Sequence, residues 1–302
     1  MTNPFDPPTP KVTKAVIAAA GFGTRFLPQT KAMPKEMIPL IDKPIIQYVV
    51  EELVAAGIKD IIIISGSNKR SIEDHFDLPN QDLVANLQAG GAKKAHLLEQ
   101  VERISNMANF IYIRQKGLYG NATPLENASH LIGNEPFIYT FADDFFVASP
   151  NRTQQLIDTH NQFGGSVLAC KQVNEDGDYD KYGIAGGQEI APGVLKVDQI
   201  VEKPGKDKAP SNMASVSGYL LTPHIFTYLE EAKAKHDGGE FMIQPIMQAM
   251  IDDGLGIHAK MIDGKWYDTG DKLEYLKAQV DFALMRDDIA PEFLQFLRKK
   301  LQ

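Results

Sequence analysis

Cysteine is almost missing from this chain: Cys170 is the single one among 302 residues. No internal disulfide can form, and a cytoplasmic protein is the natural reading. Cys170 lies in the apolar run 166–170 and reads as a core filler. Long hydrophobic runs are missing too, so no stretch is expected to cross a membrane. Positive charge is in deficit, with 31 Lys and Arg against 39 Asp and Glu and a net charge of −8, which argues against a nucleic-acid partner. The opening residues M-T-N-P-F-D-P-P-T-P lack the basic-then-apolar order of a signal peptide and read as a disordered tail over 1–11. Two familiar nucleotide signatures also fail. The dinucleotide fingerprint needs a third glycine where Phe26 stands, and no Gly-Lys-Ser/Thr element is found. None of the seven histidines sits in a recognisable catalytic motif.

What is present begins with residues 14–44. Ala15–Ala20 is an apolar run short enough for a strand buried on both faces. It breaks into Gly21-Phe22-Gly23, followed at once by Thr24 and Arg25. Lys31, Lys35 and Lys43 follow, spaced by Pro28, Pro34, Pro39 and Pro44. Glycines let backbone N–H groups approach an anion, and prolines fix the loop that carries the cations. Against a net negative protein, such a local basic cluster points to a phosphate ligand.

Downstream, Ile45–Ala56 carries a helical apolar stripe ended by Gly57, and Asp60–Ile64 reads as a buried strand. Strand, loop, helix and strand make a βαβ unit with a right-handed crossover. Further helices are expected at 68–76, 81–107 (weakened at Gly90-Gly91), 150–163, 222 onward and 244–251. Thr123-Pro124-Leu125-Glu126 reads as a helix start with Thr123 as N-cap. Strands are expected at 109–114, 136–142, 166–173, 214–221 and 256–262, and a loop at 266–270. Stretch 176–208 changes texture to short strands and Gly-rich turns. Two apolar stripes close the chain, Leu273, Leu276, Val280 and Ala283, then Phe293, Leu294, Leu297 and Leu301. They either cap the core or form a subunit contact. Without repeats or a clear linker, the expectation is one α/β domain over 12–270. It has a three-layer α/β/α, Rossmann-like build, a mixed, mostly parallel sheet and a β-rich insert near 174–220. Helices at 271–302 would pack on it or at an interface.

G-F-G-T-R (21–25), T-K-A-M-P-K-E (30–36), Pro39-Leu40 and Asp42-Lys43-Pro44 together resemble the signature of bacterial UTP–glucose-1-phosphate uridylyltransferases, within the sugar nucleotidyltransferase family. The likeness continues at Gln47–Val50, His75–Asp77, Val201-Glu202-Lys203-Pro204 and D-T-G-D-K-L (268–273). It implies transfer of UMP from UTP to glucose 1-phosphate, with Mg²⁺ as cofactor and homo-oligomers, dimer or tetramer. It assigns Arg25 and Lys35 to catalysis, and Ala20, Gly21, Gly23, Thr24, Gln115 and Gly120 to the nucleotide. Gln115 would read the uracil edge, since a side-chain amide both donates and accepts. Gly183, Glu202 and Lys203 go to the sugar phosphate, Gly183 by letting the sugar approach the backbone. Asp143 and Asp268 go to the metal, with Asp143 preferred over Asp144. The chain departs from the family pattern at G-L-Y-G-N-A (117–122), Ser217-Gly218-Tyr219 and G-E-F-M-I-Q-P-I (239–246), around the base and sugar rather than the phosphates.

Overall fold

The computed structural model describes residues 11–173 and 175–301, so the expected tail lies outside the described residues except for Lys11. Strand β1 (Lys14–Ala19) leads through short 3-10 turns to the two-residue strands β2 (Pro39–Leu40) and β3 (Lys43–Pro44). Next come α1 (Ile45–Ala55), β4 (Asp60–Ser65), α2 (Arg70–Phe76), α3 (Gln81–Ala89), α4 (Ala95–Ser105) and β5 (Asn109–Arg114). The middle holds α5 (Thr123–Ile132), β6 (Phe137–Phe141), β7 (Asp144–Val147), α6 (Arg152–Phe163) and β8 (Ser166–Gln172). Then follow β9 (Gly183–Ala191), β10 (Val194–Glu202), β11 (Met213–Leu221), α7 (Ile225–Ala234) and α8 (Ile243–Asp252). The chain closes with β12 (Ile257–Met261), β13 (Lys265–Asp268), α9 (Lys272–Leu284) and α10 (Ala290–Lys300).

A nine-stranded sheet in the order β5-β4-β1-β6-β11-β8-β12-β10-β9 forms the spine. The pairing is mixed, as expected, with seven strands in one direction and β10 and β11 against them. Strands β9, β10 and β11, which carry most of the β-rich stretch, belong to this same sheet. Alternation in β1 and β4 explains the three layers. Ala15, Ile17, Ile61 and Ile63 point to one core with α1, while Val16, Ile62 and Ile64 point to another with α5, α7 and α8. Each strand is therefore apolar on both faces and reads as a continuous run rather than an alternating one.

Two local expectations change, and one left open is narrowed. Thr123 is not the N-cap of α5: Ala122 takes that place, and the buried Thr123 hydroxyl donates to Leu118 O at 2.7 Å. A polar side chain drawn into the core satisfies a nearby carbonyl instead of the helix end. Stretch 266–270 is not all loop, because β13 pairs antiparallel with β7, setting Asp268 opposite Asp144. Lastly, α9 does not bury its leucines. Tyr275 and Gln279 donate to Pro39 O at 2.8 and 2.7 Å, and Phe282 meets Tyr48, Phe145 and Tyr267 edge-on. These polar anchors rotate the helix so that Leu273 and Leu276 stand 59% and 60% exposed.

Candidate active site

Four parallel strands, β5, β4, β1 and β6, end side by side, and their exits supply the loops 115–122, 66–69, 20–25 and 142–143. Ligands in open α/β sheets bind outside such carboxyl ends, because helices cover the faces and leave the strand exits open. A cavity of about 830 Å³ lies there. Its walls include Ala20, Gly21, Lys35, Gln115, Gly120 and Asp143.

The glycine loop is held from below. Gly23 adopts φ 65°, a left-handed turn that favours glycine, and its carbonyl accepts from Thr30 Oγ1 at 2.7 Å. Lys69 Nζ donates to Gly21 O at 2.6 Å and to Glu36 Oε2 at 2.7 Å. Both members of that ion pair are sealed, Lys69 at 1% and Glu36 at 0% exposure. Burial drives the Glu36 carboxyl above its ordinary range and the Lys69 ammonium below its own, each restrained by the other's charge. A single 3-10 turn, Lys35–Met37, sends adjacent side chains opposite ways: Glu36 into the interior, Lys35 to the cavity wall.

Lys35 Nζ meets Asp143 Oδ2 at 2.5 Å. Burial disfavours the Lys35 charge, yet Asp143, then Glu36, outweigh it and hold the ammonium above its ordinary pKa. Asp143 also lines a second cavity of about 200 Å³, with Asp144, Tyr182, Ser215, Ser217, Trp266 and Asp268. Asp143 is thus common to both cavities. Its neighbour is turned elsewhere. Asp144 Oδ2 accepts from Ser217 Oγ at 2.8 Å and Trp266 Nε1 at 3.1 Å. Burial first, then the charges of Asp143 and Asp268, push Asp144 up to about 7.

Asp268 and Asp143 face each other over the Gly270 turn. A Cβ on Gly270 would lie 3.0 Å from Asp143 Oδ2 and 3.1 Å from Asp268 Oδ1. Burial and Asp143 raise the Asp268 pKa, against the Gly270 N–H and Arg25. Arg25 lines neither cavity; its guanidinium donates to Gly270 O at 3.3 Å. Gly23 and Thr24 are likewise absent from both cavity walls.

Gly183, Glu202 and Lys203 form a separate cluster. A Cβ on Gly183 would stand 2.9 Å from Glu202 Oε2, so glycine leaves room for that carboxylate. Burial raises the Glu202 pKa, with Lys203 opposing. Lys203 has φ 48°, a strained backbone of the kind that gathers at functional sites, and its N–H donates to Tyr182 O at 3.2 Å. In the wall of the larger cavity, Gly120 is required for another reason: a Cβ would lie 2.1 Å from Phe241 O. Backbone bonds Phe241 N–H to Tyr119 O (2.7 Å) and Ala122 N–H to Phe241 O (3.0 Å) clamp that loop.

Lys69, Ser217 and Trp266 escape the sequence reading. Lys69 had one usable signal, the polar S-G-S-N-K run that ends the buried strand β4. Ser217 was marked only as part of a departure from the family pattern, and nothing linked it to Trp266, 49 residues away, which it meets through a 2.9 Å hydrogen bond and through Asp144.

Among the described residues no helix is long and apolar enough to cross a membrane. The sequence model of the nucleotidyl transferase family matches residues 14–283. UTP–glucose-1-phosphate uridylyltransferase 1 of Staphylococcus saprophyticus is 42% identical over 288 residues, covering 95% of this chain and 98% of that protein. The Staphylococcus haemolyticus uridylyltransferase is 41% identical over 289 residues, covering 96% of this chain and 98% of its own. Among solved structures, a UDP-glucose pyrophosphorylase complexed with UDP-glucose superposes with TM-score 0.81 at 35% identity, covering 91% of this chain and 100% of that one. A UTP-bound enzyme from Acinetobacter baumannii gives TM-score 0.86 at 32% identity, covering 95% and 99%. This chain belongs to the nucleotidyl transferase family.

Proposed function

We propose that the chain transfers UMP from UTP to glucose 1-phosphate, giving UDP-glucose and pyrophosphate. The observation that carries this reading is the Lys35–Asp143 pair on the seam between two cavities, one Asp143 oxygen being 2.5 Å from Lys35 Nζ. A uridylyltransferase needs that layout: a nucleotide on one side, a sugar phosphate on the other, and charge control where they meet.

The attacking group is a phosphate oxygen, already ionised at neutral pH. No general base is needed, so the barrier is repulsion between anions and charge growth at the α-phosphorus. Lys35 supplies a fixed cation there. The strained E-K-P turn presents Glu202 to sugar hydroxyls and Lys203 to the sugar phosphate. Gln115 and the clamped loop at Gly120 hold the base, and the N–H groups of Gly21–Thr24 hold the UTP phosphates. Arg25 must leave the Gly270 carbonyl to join them.

Asp143 and Asp268 fit a divalent cation of the Mg²⁺ type. Both carboxylates crowd Gly270, so Asp143 Oδ2 and Asp268 Oδ1 lie within about 6 Å of each other, the sum of their 3.0 and 3.1 Å approaches to a Cβ placed on that residue. Among the described residues no third His, Cys, Asp or Glu joins them, which suits a cation that takes few carboxylates and fills its shell with water and phosphate oxygens. When bound, such a cation neutralises phosphate charge and orients the nucleotide. Were Asp143 to hold such a cation, the Lys35 ammonium, now 2.5 Å from Asp143 Oδ2, would be left to face phosphate.

We also propose a cytoplasmic homo-oligomer. Leu273 and Leu276 on α9, with Leu294 and Phe296 on α10, are exposed apolar residues that suit self-association. Light scattering at assay concentration should show more than one chain per particle; a monomer removes the idea. The central test is pyrophosphate release from each pairing of a nucleoside triphosphate with a sugar 1-phosphate. UTP with glucose 1-phosphate should be turned over best, and a different best pair overturns the specificity.

A further inference from the structure

The smaller cavity has an aromatic wall whose support is unusual. Trp266 and Tyr182 line it, their rings 5.5 Å apart and perpendicular at 89°. Lys171, on β8, places its ammonium 4.5 Å from the Trp266 ring centre and 4.8 Å from that of Tyr182. The same nitrogen is 2.8 Å from Asp178 Oδ2. Lys171 is mostly buried, with 16% of its side chain exposed. A cation shielded from water between two ring faces is attracted to both, and a carboxylate at its open side fixes it along that axis. The indole edge is fixed independently, since Trp266 Nε1 donates to Ser217 Oγ at 2.9 Å and Asp144 Oδ2 at 3.1 Å. Trp266 is thereby held at its face and at its edge. The cavity it lines also holds Asp143 and Asp268, the carboxylates assigned to the metal.

We propose that Lys171 is a positioning residue for the sugar side of the reaction, holding the Trp266 wall of the smaller cavity through its two aromatic contacts. This rests on the reading of the chain as a glucose-1-phosphate uridylyltransferase. Sugar C–H faces pack on aromatic rings, and a ring that cannot tilt sets which hexose outline fits beside Asp143. Lys171 does not line either cavity, so its effect reaches the substrate only through Trp266 and Tyr182.

Trp266 is the sole tryptophan of the chain, so emission excited where tyrosine does not absorb reports this wall alone. The first arm titrates glucose 1-phosphate and UDP-glucose into the wild-type protein with Mg²⁺. A saturable change in tryptophan emission is expected, and no change overturns the proposal. The second arm compares Lys171→Met and Lys171→Arg with wild type in steady-state turnover. Lys171→Met should raise KM for glucose 1-phosphate about tenfold while KM for UTP stays within about twofold, as expected for losing a partly desolvated cation–π contact. Lys171→Arg keeps the cation over the rings and should recover most of that loss. An unchanged KM for glucose 1-phosphate, an equal rise in both KM values, or no rescue by arginine overturns the assignment. If Lys171→Met does not fold, the arginine variant and the wild-type titration still decide it. If the wild type turns over no UTP with glucose 1-phosphate, the functional reading falls instead, a separate result from active wild type with indifferent Lys171 variants.

Discussion

The two halves of the sheet shape their candidate sites by different means. On the parallel side, β5, β4, β1 and β6 end in loops whose backbone does most of the shaping: a left-handed Gly23, a clamped Gly120, a Gly21 carbonyl tied to Lys69. On the side of β8 to β11, pairing is mainly antiparallel and side chains do the shaping, through Glu202, Ser217 and Lys171, with Trp266 reaching in from β13. Parallel strands bring many chain exits to one edge, so backbone N–H groups accumulate there. Antiparallel strands instead bring side chains from distant segments face to face. Phosphates, alike in every nucleotide, suit the first kind of site, and a particular sugar suits the second.

That contrast can be tested at its seam first. Asp143→Asn should abolish metal-dependent turnover, whereas Asp144→Asn should leave measurable activity, since Asp144 is turned onto Ser217 and Trp266; initial rates against Mg²⁺ concentration check this, and the reverse order would relocate the metal. Next, Lys35→Ala should slow kcat by roughly 10²-fold or more, the size of losing a preorganised electrostatic group. A near-normal kcat would show that charge control lies elsewhere. On the backbone-shaped side, Lys69→Met should destabilise the fold by about 3–5 kcal/mol, because it strands Glu36 in the interior. Denaturant unfolding measures that, and the pair Lys69→Met with Glu36→Leu should recover most of it; no recovery would mean the charge pair itself is required. The smallest effect belongs to the side-chain-shaped half. Glu202→Gln should raise KM for glucose 1-phosphate roughly tenfold and leave KM for UTP unchanged, as for loss of a hydrogen bond to a charged group. If KM for UTP moves as well, the halves are not separate binding surfaces.

Legibility in the sequence follows the same division. Residues 14–44 could be read because strand, glycines, prolines and cations are consecutive, and a strand buried on both faces leaves an unbroken apolar run. The βαβ order fixed the parallel half for the same reason. Lys171, Tyr182, Ser217 and Trp266 could not be grouped, because only the register of β8, β9, β11 and β13 brings them together. Strand β13 was missed since four residues, Lys265–Asp268, are too few to show a period. Leu273 and Leu276 look like a core stripe, yet the hydrogen bonds of Tyr275 and Gln279 to Pro39 O decide which face of α9 is inward. Such anchors leave no periodic trace.

The sealed pair of Lys69 and Glu36 has a consequence for anyone who wishes to move this loop. The stretch 20–37 looks portable, a self-contained phosphate cradle ready for grafting. It is not self-contained, because Glu36 travels with it and Lys69 stays behind, 33 residues downstream. A recipient lacking a lysine at the end of its second strand would receive a naked carboxylate in its interior and a Gly21 carbonyl with no donor. The transferable module is therefore 14–69, the entire first βαβ crossover with the opening of the next helix.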